Sequence, residues 1–344
     1  MYRIRLIARL LPVYALGAVA GYAVTATGMP LGWMIGGMIA SGALTLALNM
    51  PAPPRRMSLL GQIVVGGAVG LFLTPAAMLR IVENALPIML VAVLTVIAGF
   101  LIALAERRWF RNHKATALFG SIPGGPMEMA SLAHRYGGAA DQVALAQMLR
   151  IGLIVVLFPL LVLASGAEVR PMAVSVQEAG LPGLAVILGL GWAAGWVLWR
   201  IGITNPYFLG PMAAMGGLTA AGAGLPEIPA PAIWAAQVLL GVGLGAMFRR
   251  ETLRGGRSVA MQVVSGTLVL LVVCCGIALM LVALFDLDPA TMLLASAPGG
   301  VTEMTLTAKA VDADVSLVAA FHIARVFLIL PLIPLIYRAF LRIG

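Results

Sequence analysis

Long apolar runs are the feature that most constrains what this chain can fold into. Two of them, 86–105 and 259–285, contain no charged residue and reach the roughly 20 residues that an α-helix needs to cross a bilayer. The chain is 61% hydrophobic and only 10% charged, whereas soluble proteins average about 25% charged residues. We therefore predict an all-α polytopic membrane protein.

An internal repeat becomes visible when the sequence is shifted by 175 residues. The segment SIPGGPMEM at 121–129 then falls on SAPGGVTEM at 296–304, and Arg150 falls on Arg325. A shared apolar composition produces chance matches of Leu and Ala, but not a shared SxPGGxxEM. We predict two membrane repeats, residues 1–170 and 171–344, that together form one integral membrane domain.

The hydropathy pattern predicts about ten transmembrane helices. They lie at 8–27 (taken as an uncleaved first span), 30–48, 58–76, 84–105, 141–165, 180–200, 205–224, 232–248, 258–285 and 314–338. Between the fourth and fifth span of each half lies a Pro-Gly-Gly element. It either crosses the membrane as a broken helix or enters and returns as a re-entrant hairpin.

The distribution of Lys and Arg favours the re-entrant form. If each element returns, the halves are inverted and both basic runs, 106–114 and 249–257, face the cytoplasm. If each element crosses, the second run faces outward, against the positive-inside rule. We therefore predict an inverted repeat in the cell inner (plasma) membrane, with cytoplasmic N- and C-termini. The same rule explains the net charge of +9 without a nucleic-acid partner.

The two Pro-Gly-Gly elements are the predicted substrate site. Irregular backbone at membrane depth is tolerated only inside protein or beside a water-filled cavity, and paired breaks in two halves point to a transporter site. We expect a short helix, an unwound segment, and a second helix whose N-terminus suits an anion. The alternative is a tight turn between packed helices. The predicted backbone contacts are Gly124, Gly125, Gly299 and Gly300.

Charged residues follow each break at matching positions. Glu128 and Glu303 lie in the first turn after the break and are predicted to couple an ion, or else to stabilise a helix start or pair with arginine. Arg150 and Arg325 lie near the expected midplane, where a permanently charged guanidinium must pair with an acid, carbonyl groups or an anionic substrate. His322 shares the face of its arginine, with Gln147 at the matching place in the first half.

Two glutamines in glycine-rich spans are further candidates for substrate binding. Gln62 lies in GQIVVGGAVG and Gln237 in AQVLLGVGLG. The alternative is close helix packing with an interhelical hydrogen bond.

The repeated PGGxxEM, the glycine-rich spans with glutamine, and an arginine ahead of a proline-containing span resemble the AbrB-type membrane protein family. The resemblance covers nearly the whole chain. It implies labels such as transcriptional regulator, with a role in regulation of gene expression, or ammonia monooxygenase, but no agreed binding residues.

These labels can be weighed against the residues. An oxygenase needs clustered metal ligands, but the three histidines, His113, His134 and His322, are not closely spaced. We therefore expect no enzyme activity, metal or cofactor. A DNA-binding regulator needs a folded element outside the membrane, for which the short polar loops leave no room.

The preferred interpretation is a secondary transporter of a small anionic or zwitterionic metabolite, coupled to protons or sodium, with a midplane site. The alternative is a non-transporting membrane regulator that influences gene expression through a ligand or partner. The expected partners are membrane lipid and the small-molecule substrate, and a homodimer is compatible with either interpretation.

Overall fold

The computed structural model describes residues 2–48, 50–110, 113–164, 180–248 and 257–343. These residues form a succession of α-helices. In chain order they are α1 (Tyr2–Ala26), α2 (Gly32–Leu48), α3 (Arg55–Gly70), α4 (Pro75–Glu83), α5 (Ala85–Phe110), α6 (Lys114–Ser121), α7 (Pro126–Arg135), α8 (Ala140–Ala164), α9 (Leu181–Arg200), α10 (Pro206–Ala220), α11 (Ala230–Gly245), α12 (Arg257–Phe285), α13 (Pro289–Ser296), α14 (Val301–Ala310) and α15 (Val315–Ile343).

Several of these helices have the length and apolarity of membrane spans. Four helices are each long and apolar enough to cross a membrane, namely Ala85–Arg108, Ala140–Ala164, Gly183–Arg200 and Met261–Phe285. The number rises to as many as six if each of two bent helix pairs counts as one span. The helix α9 shows the expected surface, because Trp192 and Trp199 are each 56% exposed and the Arg200 guanidinium lies 4.9 Å from the Trp196 ring. Exposed Trp beside Arg is typical of a lipid-facing helix near the membrane interface. The prediction of a helical membrane protein is confirmed.

The described chain forms two compact units, and each combines segments from both halves of the sequence. The first unit comprises Met1–Val82, Gly166–Arg250 and Thr305–Ser316, and the second comprises Glu83–Ser165, Glu251–Met304 and Leu317–Gly344. The units therefore do not coincide with 1–170 and 171–344, which describe a repetition in sequence and stay a prediction.

Glycines allow the helices of the first unit to pack with their backbones in contact. A Cβ atom built on Gly241 of α11 would collide with the carbonyl oxygen of Met34 in α2, and one on Gly36 would collide with the backbone of Gly21 in α1. The pair α3 and α10 repeats this arrangement, with Gly66 against the carbonyl of Phe208. Small residues at helix interfaces permit such approach in membranes, where packing replaces the hydrophobic driving force.

The second unit contains both Pro-Gly-Gly breaks. A buried core that includes Phe119, Ile122, Ile329 and Phe340 surrounds the first break, and Phe119 stacks on Tyr136 at 5.6 Å between ring centroids. This core holds the short helix α6 in place although it has only 8 residues. A helix of that length would be marginal without tertiary packing.

Candidate functional site

Both Pro-Gly-Gly elements are interruptions between two short helices. The helix α6 ends at Ser121 and α7 begins at Pro126, while α13 ends at Ser296 and α14 begins at Val301. The predicted order of short helix, unwound segment and second helix is confirmed. The backbone between the helices is extended, with ψ of 127° at Ile122 and 136° at Ala297, because the residue before a proline avoids helical angles.

The paired glycines give space to the side chains that follow them rather than unusual freedom to the backbone. Gly125 has an ordinary φ of −66°. A Cβ atom on Gly125 would overlap the carboxylate of Glu128, and one on Gly300 would overlap that of Glu303. Glycine thus lets the acid of the following turn fold back onto the break.

The folded-back carboxylates occupy the N-terminal ends of α7 and α14. The Glu303 carboxylate accepts a hydrogen bond from its own backbone N–H group, one of the first four N–H groups of a helix, which lack a partner within the helix. An acid at this position also interacts favourably with the positive end of the helix dipole. Glu303 therefore stabilises the start of α14, which is one of the alternatives that the sequence left open. Glu128 lies in the same place, over Gly125.

At the second break, Arg325 holds the unwound backbone. Its Nη1 donates to the carbonyl oxygen of Ala297 and its Nη2 to that of Gly299, both at 2.6 Å. Nη2 also lies 2.9 Å from Nδ1 of His322. Because arginine only donates, Nδ1 must accept, so Nε2 carries the proton and donates to the carbonyl oxygen of Leu294 at 3.0 Å.

At the first break, Gln147 and Arg150 together donate hydrogen bonds to backbone carbonyl groups. The Nε2 of Gln147 donates to the carbonyl oxygens of Phe119 and Ile122, at 2.7 and 2.8 Å. The Nη2 of Arg150 donates to the carbonyl oxygen of Gly120 at 2.6 Å. Gln147 is a site residue that the sequence placed only by its match to His322. Its two backbone contacts depend on the packing of α8 against α6.

Each break thus has a cation at the carbonyl end of the preceding helix and an acid at the N–H end of the following one. Both signs match the helix dipoles. Among the described residues, no ion pair joins Glu128 to Arg150 or Glu303 to Arg325; the ion pair that is formed joins Arg80 to Asp314 at 2.9 Å. The direct Glu–Arg pair that the sequence left open is therefore absent, and the charges act on the backbone instead.

A buried acid near the first break was missed by the sequence. The segment 106–114 was predicted to be a cytoplasmic basic run, but α5 continues to Phe110 and Glu106 is only 6% exposed. Its Oε2 lies 2.5 Å from Ser121 Oγ, within hydrogen-bond distance, and accepts a hydrogen bond from Gln262 Nε2 at 3.1 Å. An acid directly after the apolar run 86–105 was the available signal, and the arginines that follow it obscured that signal. The second basic run, 249–257, lies outside the described residues up to 256.

A small cavity lies beside this acid. Its lining includes Glu106, Gly120, Gln142, Arg150 and Gln262. Arg150 is 3% exposed, and its Nε has no hydrogen-bond partner. The described residues contain no group of three or more His, Cys, Asp or Glu side chains that could hold a metal ion.

The helix that carries Arg150 also contacts the second break. A Cβ atom on Gly299 would lie 3.1 Å from the Ile154 side chain of α8, one turn beyond Arg150. Within the second unit, α8 therefore carries Arg150 at the first break and contacts the second break through Ile154.

The two predicted glutamines belong to the first unit, whereas the breaks belong to the second. Gln237 is 6% exposed, and its side-chain oxygen has no hydrogen-bond partner. The interhelical bond that the sequence left open is thus not formed by that oxygen. Gln62 is half-buried. Glycine packing around both explains the composition of their spans.

Comparisons with known proteins agree with the motifs. The family model AbrB, described as "Transition state regulatory protein AbrB", matches residues 33–341. The Bacillus subtilis (strain 168) protein named "Uncharacterized protein YhjN" is 25% identical over 94% of this chain and 91% of its own length. The Escherichia coli (strain K12) protein named "Putative regulator AbrB" is 28% identical over 90% of this chain and 88% of its own. Because the family model covers most of the sequence, this chain belongs to the AbrB family.

Proposed function

We propose that this protein is a secondary transporter of a small anionic or zwitterionic metabolite, with its binding site at the two Pro-Gly-Gly breaks. The observation that carries the proposal is the pair of interrupted helices, each with buried polar side chains of the following span donating to its carbonyl groups. Interrupted helices in corresponding places are the usual construction of a transporter site. The proposal assigns no catalytic reaction to the protein.

The proposal includes an inverted repeat of ten spans with both termini in the cytoplasm. It is supported by the helix limits, since α13 and α14 begin and end 175 residues after α6 and α7. It is also supported by the two compact units, each of which combines corresponding segments of the two halves. The basic runs of the sequence supply the orientation.

The substrate is proposed to bind where the two glutamates now lie. The N-terminal ends of α7 and α14 suit an anion, and the carboxylates of Glu128 and Glu303 lie at those ends. A substrate carboxylate or phosphate would take the N–H groups of Gly124–Gly125 or Gly299–Gly300 when the glutamate is neutralised. Glu128 and Glu303 are therefore the proposed ion-coupling groups. Arg150, Arg325 and His322 hold the surrounding backbone and supply positive charge, and Gln62 and Gln237 stay predicted substrate contacts.

Uptake into proteoliposomes tests this function. Purified protein is reconstituted, and accumulation of radiolabelled succinate, citrate, glutamate and phosphate is measured with an imposed pH or sodium gradient. We expect saturable, gradient-driven accumulation of at least one anion above that in empty liposomes. Folded protein that accumulates and exchanges none of a widened panel of anions and zwitterions would contradict a transporter.

The second candidate is a non-transporting membrane regulator. It is favoured by the family description and by the name of the Escherichia coli relative. With its small polar loops, such a protein would act through a bound ligand or a partner rather than by reading DNA. A ligand that raises the melting temperature of the purified protein, yet is neither accumulated nor exchanged by proteoliposomes, would favour this second function.

A further inference from the structure

The buried acid Glu106 has no role in the proposed substrate site. It lies within the membrane span Ala85–Arg108 and is 6% exposed. An ionised carboxylate in such a place is costly unless it is paired or fully hydrogen-bonded. Glu106 nevertheless makes no ion pair among the described residues.

The hydrogen bonds around Ser121 indicate where a proton lies. Ser121 Oγ is 2.5 Å from Glu106 Oε2 and 2.7 Å from the carbonyl oxygen of Ala117. A serine hydroxyl has one hydrogen to donate, and a carbonyl oxygen can only accept. Each contact is a full hydrogen bond if Ser121 donates to Ala117 and a protonated Glu106 donates to Ser121, whereas an ionised Glu106 leaves one hydroxyl hydrogen shared between two acceptors.

Among the described residues that line the cavity, Arg150 is the charged group that faces this acid. From α8, Arg150 lines the same cavity and interacts electrostatically with Glu106. From α12, Gln262 donates its amide N–H, and Gly266 lies against the carboxylate. From α6, Ser121 contacts the carboxylate and Thr116 lines the cavity. Among the described residues, no second carboxylate lines it.

Arg150 behaves as if Glu106 were neutral. Its Nη2 donates to Gly120 at the first break and its Nη1 to Gln147 Oε1 at 3.2 Å, while its Nε has no partner. An ionised Glu106 would offer this guanidinium a strong charge-assisted bond. Arg150 would then have to divide its donors between the acid and the first break.

We propose that Glu106 is a proton-binding site that controls the partner of Arg150. When Glu106 holds a proton, it donates to Ser121 and Arg150 stays on the carbonyl group of Gly120. When the proton leaves to water, the carboxylate attracts Arg150 and weakens its hold on the first break. No other covalent bond is made or broken. A metal cation fits less well, because the cationic Arg150 lines the same cavity and the amide N–H of Gln262 already donates to the carboxyl group.

This inference rests on the proposed function only for the role of the proton in ion coupling. The protonation of Glu106 can therefore be tested without a transport assay. Infrared difference spectra of the lipid-reconstituted protein are recorded during a pH titration in H₂O and D₂O. We expect the carbonyl stretch of a protonated carboxylic acid, shifted in D₂O. It should be missing from Glu106→Gln but retained in Glu303→Gln, Glu128→Gln and the exposed control Glu83→Gln.

Two further variants make the assignment specific. Ser121→Ala should change the frequency of that band without removing it, because the hydrogen bond from the acid is lost. Addition of sodium at constant pH should leave the band unchanged; its loss would identify a sodium site and overturn the proton assignment. A Glu106→Gln spectrum identical to that of the wild type would also overturn it.

The use of the proton is tested in proteoliposomes. We expect Glu106→Gln to lose the dependence of uptake on the pH gradient while it retains exchange of substrate across the membrane. If gradient dependence is unchanged, Glu106 has no part in coupling. If the infrared band is assigned to Glu106 but no variant transports, the proposed transporter function fails and the proton site stands.

Discussion

At the scale of single residues, the membrane-embedded charges act on the backbone before they act on any ligand. The last carbonyl groups of a helix have no partner within the helix, and burial of an unsatisfied carbonyl costs about 1–3 kcal/mol. Arg325 bonds two carbonyl groups of the unwound segment just beyond α13 with one planar fork. Gln147 bonds two carbonyl groups at the first break with one amide nitrogen.

The first prediction concerns Arg325→Lys. A lysine keeps the charge but cannot bridge Ala297 and Gly299 as a fork does, so we expect a loss of about 1–3 kcal/mol in the free energy of unfolding. Thermal unfolding of the purified protein measures it. The matched control is Arg342→Lys at an exposed site, which should be neutral. Equal melting temperatures for both variants would show that the fork does not hold the break.

The second prediction concerns Glu303→Gln. A glutamine retains a side-chain oxygen at the start of α14 but cannot change its charge. Under the proposed function, transport should lose its dependence on the ion gradient while substrate exchange stays measurable. Glu128→Gln is the corresponding variant of the first break, and the two halves need not respond equally. Unaltered gradient dependence in both would assign the glutamates to the helix start alone.

At the scale of helices, glycines decide how closely the first unit packs. The helix α11 meets α2 where Gly241 touches the Met34 carbonyl and Gly245 touches that of Met38. No side chain separates the two backbones there. The glycine-rich run around Gln237 is thus a packing surface as well as the location of a predicted site residue.

The third prediction compares two glycine-to-alanine changes in the same unit. Gly241→Ala places a methyl group against the Met34 backbone and should destabilise the protein by about 1–3 kcal/mol, as overpacking usually does. Gly217→Ala meets nothing within 4 Å and should be neutral or slightly stabilising. Melting temperatures of the two variants check this. A Gly241→Ala variant as stable as Gly217→Ala would mean that α2 and α11 are not in close contact.

At the scale of the whole molecule, the order of segments along the chain differs from their grouping in space. Each compact unit combines segments from both halves of the sequence. Both Pro-Gly-Gly breaks fall in the second unit, together with Glu106 and both arginines. The proposed inverted repeat would account for this grouping, since it would bring corresponding segments of the two halves together.

The fourth prediction concerns topology. Single cysteines at positions 113 and 253 are introduced after Cys274 and Cys275 are replaced by alanine, and a membrane-impermeant thiol reagent is applied to each side. Both positions should react from the cytoplasmic side only, because both lie in basic runs. Labelling of one position from outside and the other from inside would rule out the inverted arrangement.

The local features of this protein could be predicted from its sequence. The apolar runs identify membrane helices because crossing a bilayer requires only length and apolarity. The prolines locate both breaks because proline restricts the backbone of its neighbours and of itself. The position of Glu303 in the first turn predicts a helix-start acid for the same local reason.

The partners of these residues were decided only by the tertiary structure. A bond from Arg325 to Gly299, or from Gln147 to Phe119, joins groups more than 25 residues apart in sequence and depends on how one helix packs against another. The burial of Glu106 likewise follows from α6 and α12 meeting α5 at its last turn. Sequence patterns indicate which residues share a helix face. The surrounding helices decide whether a buried charge has an acid, a carbonyl group or a ligand as its partner.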